Sequence, residues 1–349
     1  MRSLATSLTL VCWACTASAW EVRGASGLDT WYSPDTQVRY LPNYKPAFQF
    51  RAADPWVYAQ AEKSTALDDG STVTTTFAGR NSAVAGGYVS RADVDFRTSS
   101  GFGVRAGMLP YRVSYCRSLG EGPWLAEPSA LCRYYVLNAM AGGGAGVQAY
   151  ASIQVGDWTV DGMAGLYRPR LDGQSKLTLG PQLATGPHTR DDRAGVSFNA
   201  LHLSSGLQTR FSVLKADEVQ DGKYTMATTT RYLAAQAPVG ADADLALSHT
   251  RITGGGFIGV QTGIEVNDLT AEVIWKFRTG NTLAVGASTY AQDVSGIGAH
   301  LQVKARSIAY RRELGGGWFM VAQASHSASG GYGKPASGTA LGFRVAKSF

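Results

Sequence analysis

The chain has 349 residues, a formal net charge of +6 and 44% hydrophobic residues. The cations are spread along the chain without a dense basic run, so no nucleic-acid partner is predicted. No segment after the first nineteen residues approaches eighteen consecutive apolar residues, which excludes a membrane protein built from helices. The 42 glycines lack the three-residue period of collagen.

Residues 1–19 have the pattern of a secretory signal peptide. Arg2 gives a positive start, an apolar stretch follows, and Ala17, Ser18 and Ala19 form a small-residue cleavage site. The apolar stretch is shorter than the roughly 20 residues of a membrane helix. Cleavage would leave a net charge of +5 on residues 20–349. No linker divides this remainder, so we predict one domain.

Alternation of apolar and polar residues is clearest in the segment 269–278. One face carries Leu269, Ala271, Val273, Trp275 and Phe277. The other carries Thr270, Glu272, Lys276 and Arg278, with Ile274 as the exception. Side chains of a strand alternate between its two faces, so the segment predicts a strand with one apolar face and one charged face.

Similar segments recur along the chain and predict an all-β fold. Most are about ten residues long, which suits a tilted strand that crosses a bilayer, whereas strands of soluble proteins are nearer five or six. We therefore predict a transmembrane antiparallel β-barrel, apolar outside and polar inside. The predicted strands begin near residues 55, 71, 86, 101, 146, 158, 193, 206, 223, 242, 256, 269, 282, 299, 316 and 339.

The number of strands follows from the lengths of the connections. Outer-membrane barrels have short periplasmic turns and longer outer loops. The tight turns at Gly156 and Asp157 and at Ser204, Ser205 and Gly206 are predicted to be periplasmic, with 111–145 and 169–192 outside. This requires an extra strand before residue 55, within 36–52, and the loss of one candidate after residue 206. Sixteen strands are predicted, with eighteen as the alternative.

The chain ends on Phe349, with Leu341, Phe343 and Val345 on the same face. Here it resembles the Gram-negative outer-membrane β-barrels, although Lys347 stands where an apolar residue is usual. The resemblance implies that Phe343, Val345 and Phe349 are an assembly signal for the barrel assembly machinery. It also implies a location in the outer membrane, with outer-membrane lipid and lipopolysaccharide as partners.

Two cysteines, Cys116 and Cys132, lie in the longest connection. In an oxidising compartment we expect them to form a disulfide, which would contribute roughly 3 kcal/mol in the chain-entropy model. Two unpaired thiols are the alternative. A metal site is not predicted, because no histidine lies in this loop.

The position of the segment 111–145 resembles the constriction loop of trimeric porins, which folds inward and narrows the channel. The resemblance implies a homotrimer, with Glu121 and Glu127 as loop acids facing wall arginines. Arg91, Arg97 and Arg105 are the candidates for that wall. For each residue, an ordinary solvated side chain is the alternative.

The polar faces of the predicted strands define the predicted lumen. Sixteen strands leave an aqueous channel, and its charged wall would select by sign. We therefore predict an outer-membrane porin for passive diffusion of small hydrophilic solutes or ions, with a mild preference for anions and no cofactor. The predicted lumen residues are Arg91, Asp93, Asp95, Arg97, Arg105, Arg210, Glu265, Glu272, Lys276, Arg278, Lys304, Arg306 and Arg344.

Three other functions remain open from the sequence. A substrate-specific channel would use the same barrel. A barrel enzyme such as a phospholipase or protease would need a nucleophile beside a histidine, and His202 with Ser204 is the nearest pair. A soluble secreted β-sandwich, such as a binding module or adhesin, would also explain the alternation, but it accommodates ten-residue strands less well.

Overall fold

The computed structural model describes residues 20–32, 54–82, 86–110, 143–169, 188–220, 224–257, 259–277, 280–331 and 336–349. Within these residues no helix has the length and apolar character needed to cross a membrane. The regular elements are strands: β1 Glu21–Tyr32, β2 Asp54–Ala66, β3 Thr72–Ser82, β4 Gly86–Arg97, β5 Phe102–Pro110, β6 Gly143–Val155, β7 Trp158–Pro169, β8 His188–His202, β9 Gln208–Gln220, β10 Tyr224–Pro238, β11 Ala243–Phe257, β12 Gln261–Lys276, β13 Thr282–Val294, β14 Ala299–Gly315, β15 Trp318–Gly330 and β16 Ala336–Ser348.

The sixteen strands form one closed antiparallel barrel in which each strand pairs with its neighbours in sequence. The barrel closes where β1 pairs with β16, in a register that sets Leu28 opposite Val345. Closure removes the unpaired edges that an open sheet would present to lipid. The predicted fold class and the predicted number of strands are confirmed.

Two details of the predicted strand list differ from the structure. The extra strand that precedes residue 55 is β1, Glu21–Tyr32, and the range 36–52 lies wholly outside the described residues. The candidates at 256 and 269 are not two strands. Residue 256 belongs to the end of β11, and β12 runs without a break through Gln261–Lys276. The predicted loss of one candidate after residue 206 therefore falls here.

Connection lengths distinguish the two ends of the barrel. Trp20 and Phe349, the first and last described residues, lie at one end, where the turns include Gly156–Asp157 and the segment 203–207. Gly156 and Gly206 have φ values of 59° and 69°, a left-handed conformation that glycine adopts without steric cost. The connections of 33–53, 111–142 and 170–187 leave the opposite end. By the rule for such barrels, the short-turn end is periplasmic.

The turn between β2 and β3, residues 67–71, donates hydrogen bonds to the carboxylate of Asp69. The backbone N–H of Ser71 donates to Asp69 Oδ1 at 2.9 Å. This bond, and a second one from the Ser71 side chain, lower the pKa of Asp69. An Asp that accepts from the backbone two residues later is a common way to fix a turn.

Near the periplasmic end, the outer wall of β12, β13 and β14 carries exposed apolar side chains. On β12, Leu269 is 55% exposed and Trp275 is 36% exposed, while Thr270 and Glu272 on the other face are buried. On β14, Ile308 is 48% exposed and pairs with Val285 of β13, which is also exposed. In a closed barrel the outer face meets lipid, so these apolar side chains are the ones the hydrocarbon layer favours.

Towards the extracellular end, four strands reverse this polarity. Ile252, Ile264, Val266, Tyr290 and Val303 form a buried apolar cluster inside the wall of β11–β14. The residues that alternate with them point outward and are largely polar or charged. A strand cannot change its alternation without a bulge. Each strand therefore keeps the same face towards the lumen, and only the types of residue on its two faces are exchanged.

The last residue, Phe349, extends the pairing of β1 with β16, the junction that we call the seam. Gly24 N donates to Phe349 O at 2.8 Å, and Phe349 N donates to Gly24 O at 3.0 Å. A Cβ at Gly24 would lie 2.5 Å from Tyr58 O and 2.7 Å from Phe349 Cζ. The seam therefore needs glycine at position 24, because the terminal ring occupies the space that a side chain would fill.

We predict that Gly24→Ala weakens closure of the barrel by about 1–3 kcal/mol, the usual cost of overpacking. Denaturant unfolding in detergent, followed by heat-modifiable mobility on gels, measures the loss. Gly330→Ala is the matched control, because no heavy atom lies within 4 Å of its added Cβ. Equal stability of the two variants would contradict the role of Gly24.

Candidate functional site: the lumen wall

Most of the predicted lumen residues do face the interior. Each shares its strand face with buried residues and alternates with exposed apolar ones. On β4, for example, Asp93 is buried while Val94 and Phe96 are exposed outside. The predicted residues that face the lumen are Arg91, Asp93, Asp95 and Arg97 on β4, Arg105 on β5, Arg210 on β9, Glu272 and Lys276 on β12, and Arg344 on β16.

Charged residues of β4 and β5 form a compact network with Tyr150 of β6. Arg91 pairs with Asp93, and Arg105 lies 3.5 Å from Asp93 Oδ1 and 2.7 Å from Asp95 Oδ2. The Tyr150 hydroxyl donates to Asp95 Oδ1 at 2.7 Å. The antiparallel register sets Asp95 directly opposite Arg105, which is why two residues distant in sequence meet.

This network neutralises the part of the wall that was predicted to be an arginine surface. Arg91 and Arg105 are paired with two aspartates, so the four charges cancel. Buried charges that are paired and hydrogen-bonded hold their geometry, whereas removing one partner leaves the other uncompensated. Arg97 lies beside this network on the same face of β4: it is exposed, and no described carboxylate pairs with it.

A second charged group lies on β10–β12, across the barrel from β4. Asp244 of β11 accepts from Lys276 and, at 2.7 Å, from Gln236 Nε2. On β9, Arg210 Nε donates to the amide oxygen of Asn199 at 2.5 Å. Charged and amide side chains thus line the wall on both sides of the lumen.

Two arginines of the lumen wall lie over aromatic rings. The Arg344 guanidinium carbon is 4.6 Å from the ring centroid of Trp56, and that of Arg311 is 4.4 Å from Phe319. Arginine over an aromatic face is a favourable cation–π arrangement. Trp56, Phe319 and their buried neighbours form an apolar patch inside the barrel beside the seam.

Several residues that shape the lumen were not among the predicted ones. Tyr150 and Asn199 share their strand faces with polar residues, so alternation could have indicated them. Trp56 and Phe319 could not be found this way, because the pattern assigns apolar side chains to the lipid face. Asp244 alternates with Leu245 and Leu247 at the start of β11, so alternation could have indicated it as well.

Lys304 and Arg306 are corrections to the predicted lumen. Both share the outward face of β14 with Ile308, while Val303 and Ser307 are buried inside. Glu265 is likewise outward on β12, where it pairs with Arg251 at 2.8 Å. The prediction assigned the apolar face to lipid along the whole strand. Near the extracellular end that assignment fails, because the apolar residues there pack inside.

The remaining predicted site residues lie outside the described part of the chain. These are Glu121, Glu127, Cys116, Cys132 and Arg278. Of the predicted assembly signal, Phe343 and Phe349 face outward and Val345 shares their face of β16. No group of three or more histidine, cysteine or acidic residues that could hold a metal ion occurs among the described residues.

Comparison with known proteins rests on structure alone. No protein-family model matches the chain, and no curated protein matches its sequence. The fold matches an anion-selective porin from Comamonas acidovorans with a TM-score of 0.66 and 12% identity, over 95% of this chain and 99% of that one. It matches Salmonella typhi OmpF, in complex with daunomycin, with a TM-score of 0.65 and 9% identity, over 95% and 97%.

A third match is the trimer form of OmpT, an outer membrane protein of Vibrio cholerae, with a TM-score of 0.62 and 10% identity, over 95% and 99%. At such low identity the likeness concerns the fold. The chain is therefore a closed β-barrel with the fold of Gram-negative outer-membrane porins. The apolar outer wall is the surface that a membrane barrel presents to lipid.

We predict that Asp95→Asn makes the channel more permeable to anions. The change removes one negative charge from the lumen and leaves Arg105 less compensated. Reversal potentials in planar bilayers under a salt gradient measure the shift. Asp217→Asn is the matched control, because Asp217 is exposed on the outer face of β9. A shift of the same size in both variants would contradict the lumen position of Asp95.

Proposed function

We propose that the protein is an outer-membrane porin, a water-filled channel for passive diffusion of small hydrophilic solutes. The observation that carries the proposal is the closed sixteen-strand barrel with charged and amide side chains on its inner wall. Barrels of sixteen to eighteen strands leave an aqueous channel, whereas eight strands leave room only for side chains. Solutes would cross without a chemical step.

Charged side chains on opposite walls would set which solutes pass easily. Arg105 and Asp95 lie on one side of the lumen, and Lys276 and Asp244 lie on the other. Such groups interact with hydrated solutes at close quarters and select by sign and size. In this proposal the predicted constriction loop, 111–145, narrows the channel through the part that precedes β6, with Glu121 and Glu127 facing the wall.

The proposed ion selectivity is a mild preference for anions. It is supported by Arg97, which no described carboxylate neutralises, and by the likeness in fold to an anion-selective porin. Lys304 and Arg306 add no positive charge to the lumen, because both face outward. The paired charges of β4 and β5 also limit the preference, so the expected selectivity is weak.

The proposal also includes the oligomeric state, the export and assembly signals and a disulfide. We infer a homotrimer, in keeping with the trimer form of a protein of the same fold. Residues 1–19 would direct export, and the terminal strand would be read by the barrel assembly machinery. The proposed disulfide between Cys116 and Cys132 would constrain the long loop.

A hydrolytic enzyme is the alternative of a different class. His202 Nδ1 lies 2.7 Å from Ser205 Oγ and 3.4 Å from Ser204 Oγ. These residues lie in an exposed turn at the periplasmic end, and the His202 ring contacts Trp158 at 4.7 Å between centroids. A catalytic histidine needs a group that orients it, and a tryptophan ring does not serve that role. We therefore propose a channel without catalytic activity.

The decisive experiment is recording from the purified protein in planar bilayers. We expect stable ohmic conductance and a reversal potential with the sign of weak anion selectivity. Arg97→Gln should shift the reversal potential towards cation selectivity, whereas Lys215→Gln, on the exposed outer face of β9, should not. Absence of conductance, together with hydrolysis of a phospholipid or peptide panel, would favour the enzyme.

A further inference from the structure

The outer wall carries a belt of cations towards the extracellular ends of β9–β14. On each of four strands, a cation lies on the same outward face as exposed apolar residues and on their extracellular side. Phe211, Leu233, Leu247 and Ile308 are these apolar neighbours. The cations of the belt are Lys215, Arg231, Arg251, Lys304 and Arg306.

The position of the belt identifies its surroundings. A lysine or arginine on the lipid face of a barrel costs about 2–4 kcal/mol at the middle of the bilayer and about 0–1 kcal/mol near the interface. The cations begin where the apolar band ends on each strand. The belt therefore lies at the level of the outer-leaflet headgroups.

Three basic side chains lie together around β14. Lys304 and Arg306 are two residues apart on one face, with Thr289 of β13 opposite Lys304 and His326 of β15 opposite Arg306. His326 Nδ1 lies 3.1 Å from the hydroxyl of Thr339. We call Lys304, Arg306 and His326 the basic cluster; all three are exposed.

The basic cluster differs from Arg251 of the belt in its charge balance. Arg251 is neutralised by Glu265 at 2.8 Å, and the nearby acid Asp293 pairs with His300. Among the described residues, no carboxylate pairs with Lys304 or Arg306. Arginine, lysine and hydroxyl groups are the side chains that bind phosphate oxygens.

An apolar groove lies directly below the basic cluster. Its volume is about 520 Å³, and Arg306 and His326 are among its lining residues. Small side chains form its floor, because Ala271 lies opposite Ala287 and Ala287 lies opposite Arg306. Larger side chains form its sides: Val273, Val285 and Ile308.

From this arrangement we propose that the outer wall at β12–β15 is a binding site for a phosphorylated lipid of the outer leaflet. A phosphate would bind the basic cluster, and one acyl chain would occupy the groove. The phosphate supplies the negative charge that no described carboxylate gives to Lys304 and Arg306. The site requires the barrel to lie in a bilayer, but it does not depend on conduction.

A second copy of the chain that presents β1–β7 fits the basic cluster less well. Between the turns, the described outward-facing residues of β1–β7 include no acid. They are mostly apolar or small, with Leu28, Val57, Phe77, Val94 and Val104 among them. A copy that packed this side against β14 would leave Lys304 and Arg306 uncompensated, which is costly for buried charges.

Native mass spectrometry of the folded protein in detergent tests the proposal, with bis-phosphorylated lipid A and its dephosphorylated form as probes. We expect wild type to bind the phosphorylated lipid at least tenfold more tightly than the dephosphorylated one. The double variant Lys304→Gln, Arg306→Gln should lose this difference. Arg312→Gln is the matched control: Arg312 shares the strand and face but lies near the periplasmic end.

Further measurements distinguish failure of the lipid site from failure of the proposed channel. Ala287→Leu should fill the groove and weaken lipid binding while single-channel conductance stays at the wild-type value. Equal affinity of wild type and the double variant for lipid A, or equal affinity of wild type for both lipids, would overturn the proposal. Disulfide cross-linking between copies through Lys304→Cys without added lipid would instead assign this face to a protein interface. A normal channel with no lipid preference would leave the proposed function intact.

Discussion

Hydrogen bonding of the backbone in the absence of water is the constraint on which this structure depends. Each unpaired N–H or C=O in hydrocarbon costs several kcal/mol, so a sheet that spans a membrane must have no free edge. The pairing of β1 with β16 meets that requirement. The reciprocal bonds between Gly24 and Phe349 then extend the seam to the last residue of the chain.

Closure also fixes which residues reach water and which reach lipid. Once β1 and β16 pair, every strand presents alternate residues to an enclosed lumen and to the membrane. The charges of Arg91, Asp93, Asp95 and Arg105 can then meet inside, because their strands are neighbours in a defined register. The channel and its charged wall are both consequences of one closed sheet.

The fold could be predicted from the sequence because alternation is a local property. The segment 269–276 shows it within eight residues, and the lengths of the connections gave the number of strands. Alternation assigns apolar residues to the lipid face and polar residues to the lumen. The positions of residues that depart from this assignment could not be predicted. Trp56 and Phe319 lie inside beside arginines, and Lys304 and Arg306 lie outside although apolar residues alternate with them. Their environment depends on how far each strand extends beyond the hydrocarbon layer, which alternation alone does not encode. Pairing within the lumen was also not predictable, since the contact of Asp95 with Tyr150 depends on register across three strands.

The alternation along β12 provides the most direct test of the account. Single cysteines at positions 270–275, in a protein whose Cys116 and Cys132 are replaced by serine, would carry spin labels in lipid vesicles. The account predicts that labels at 271, 273 and 275 collide with lipid-dissolved oxygen, and that labels at 270, 272 and 274 collide with a water-soluble relaxing agent. Labels at 273 and 275 that are shielded from oxygen, or accessibility without a two-residue period, would contradict it.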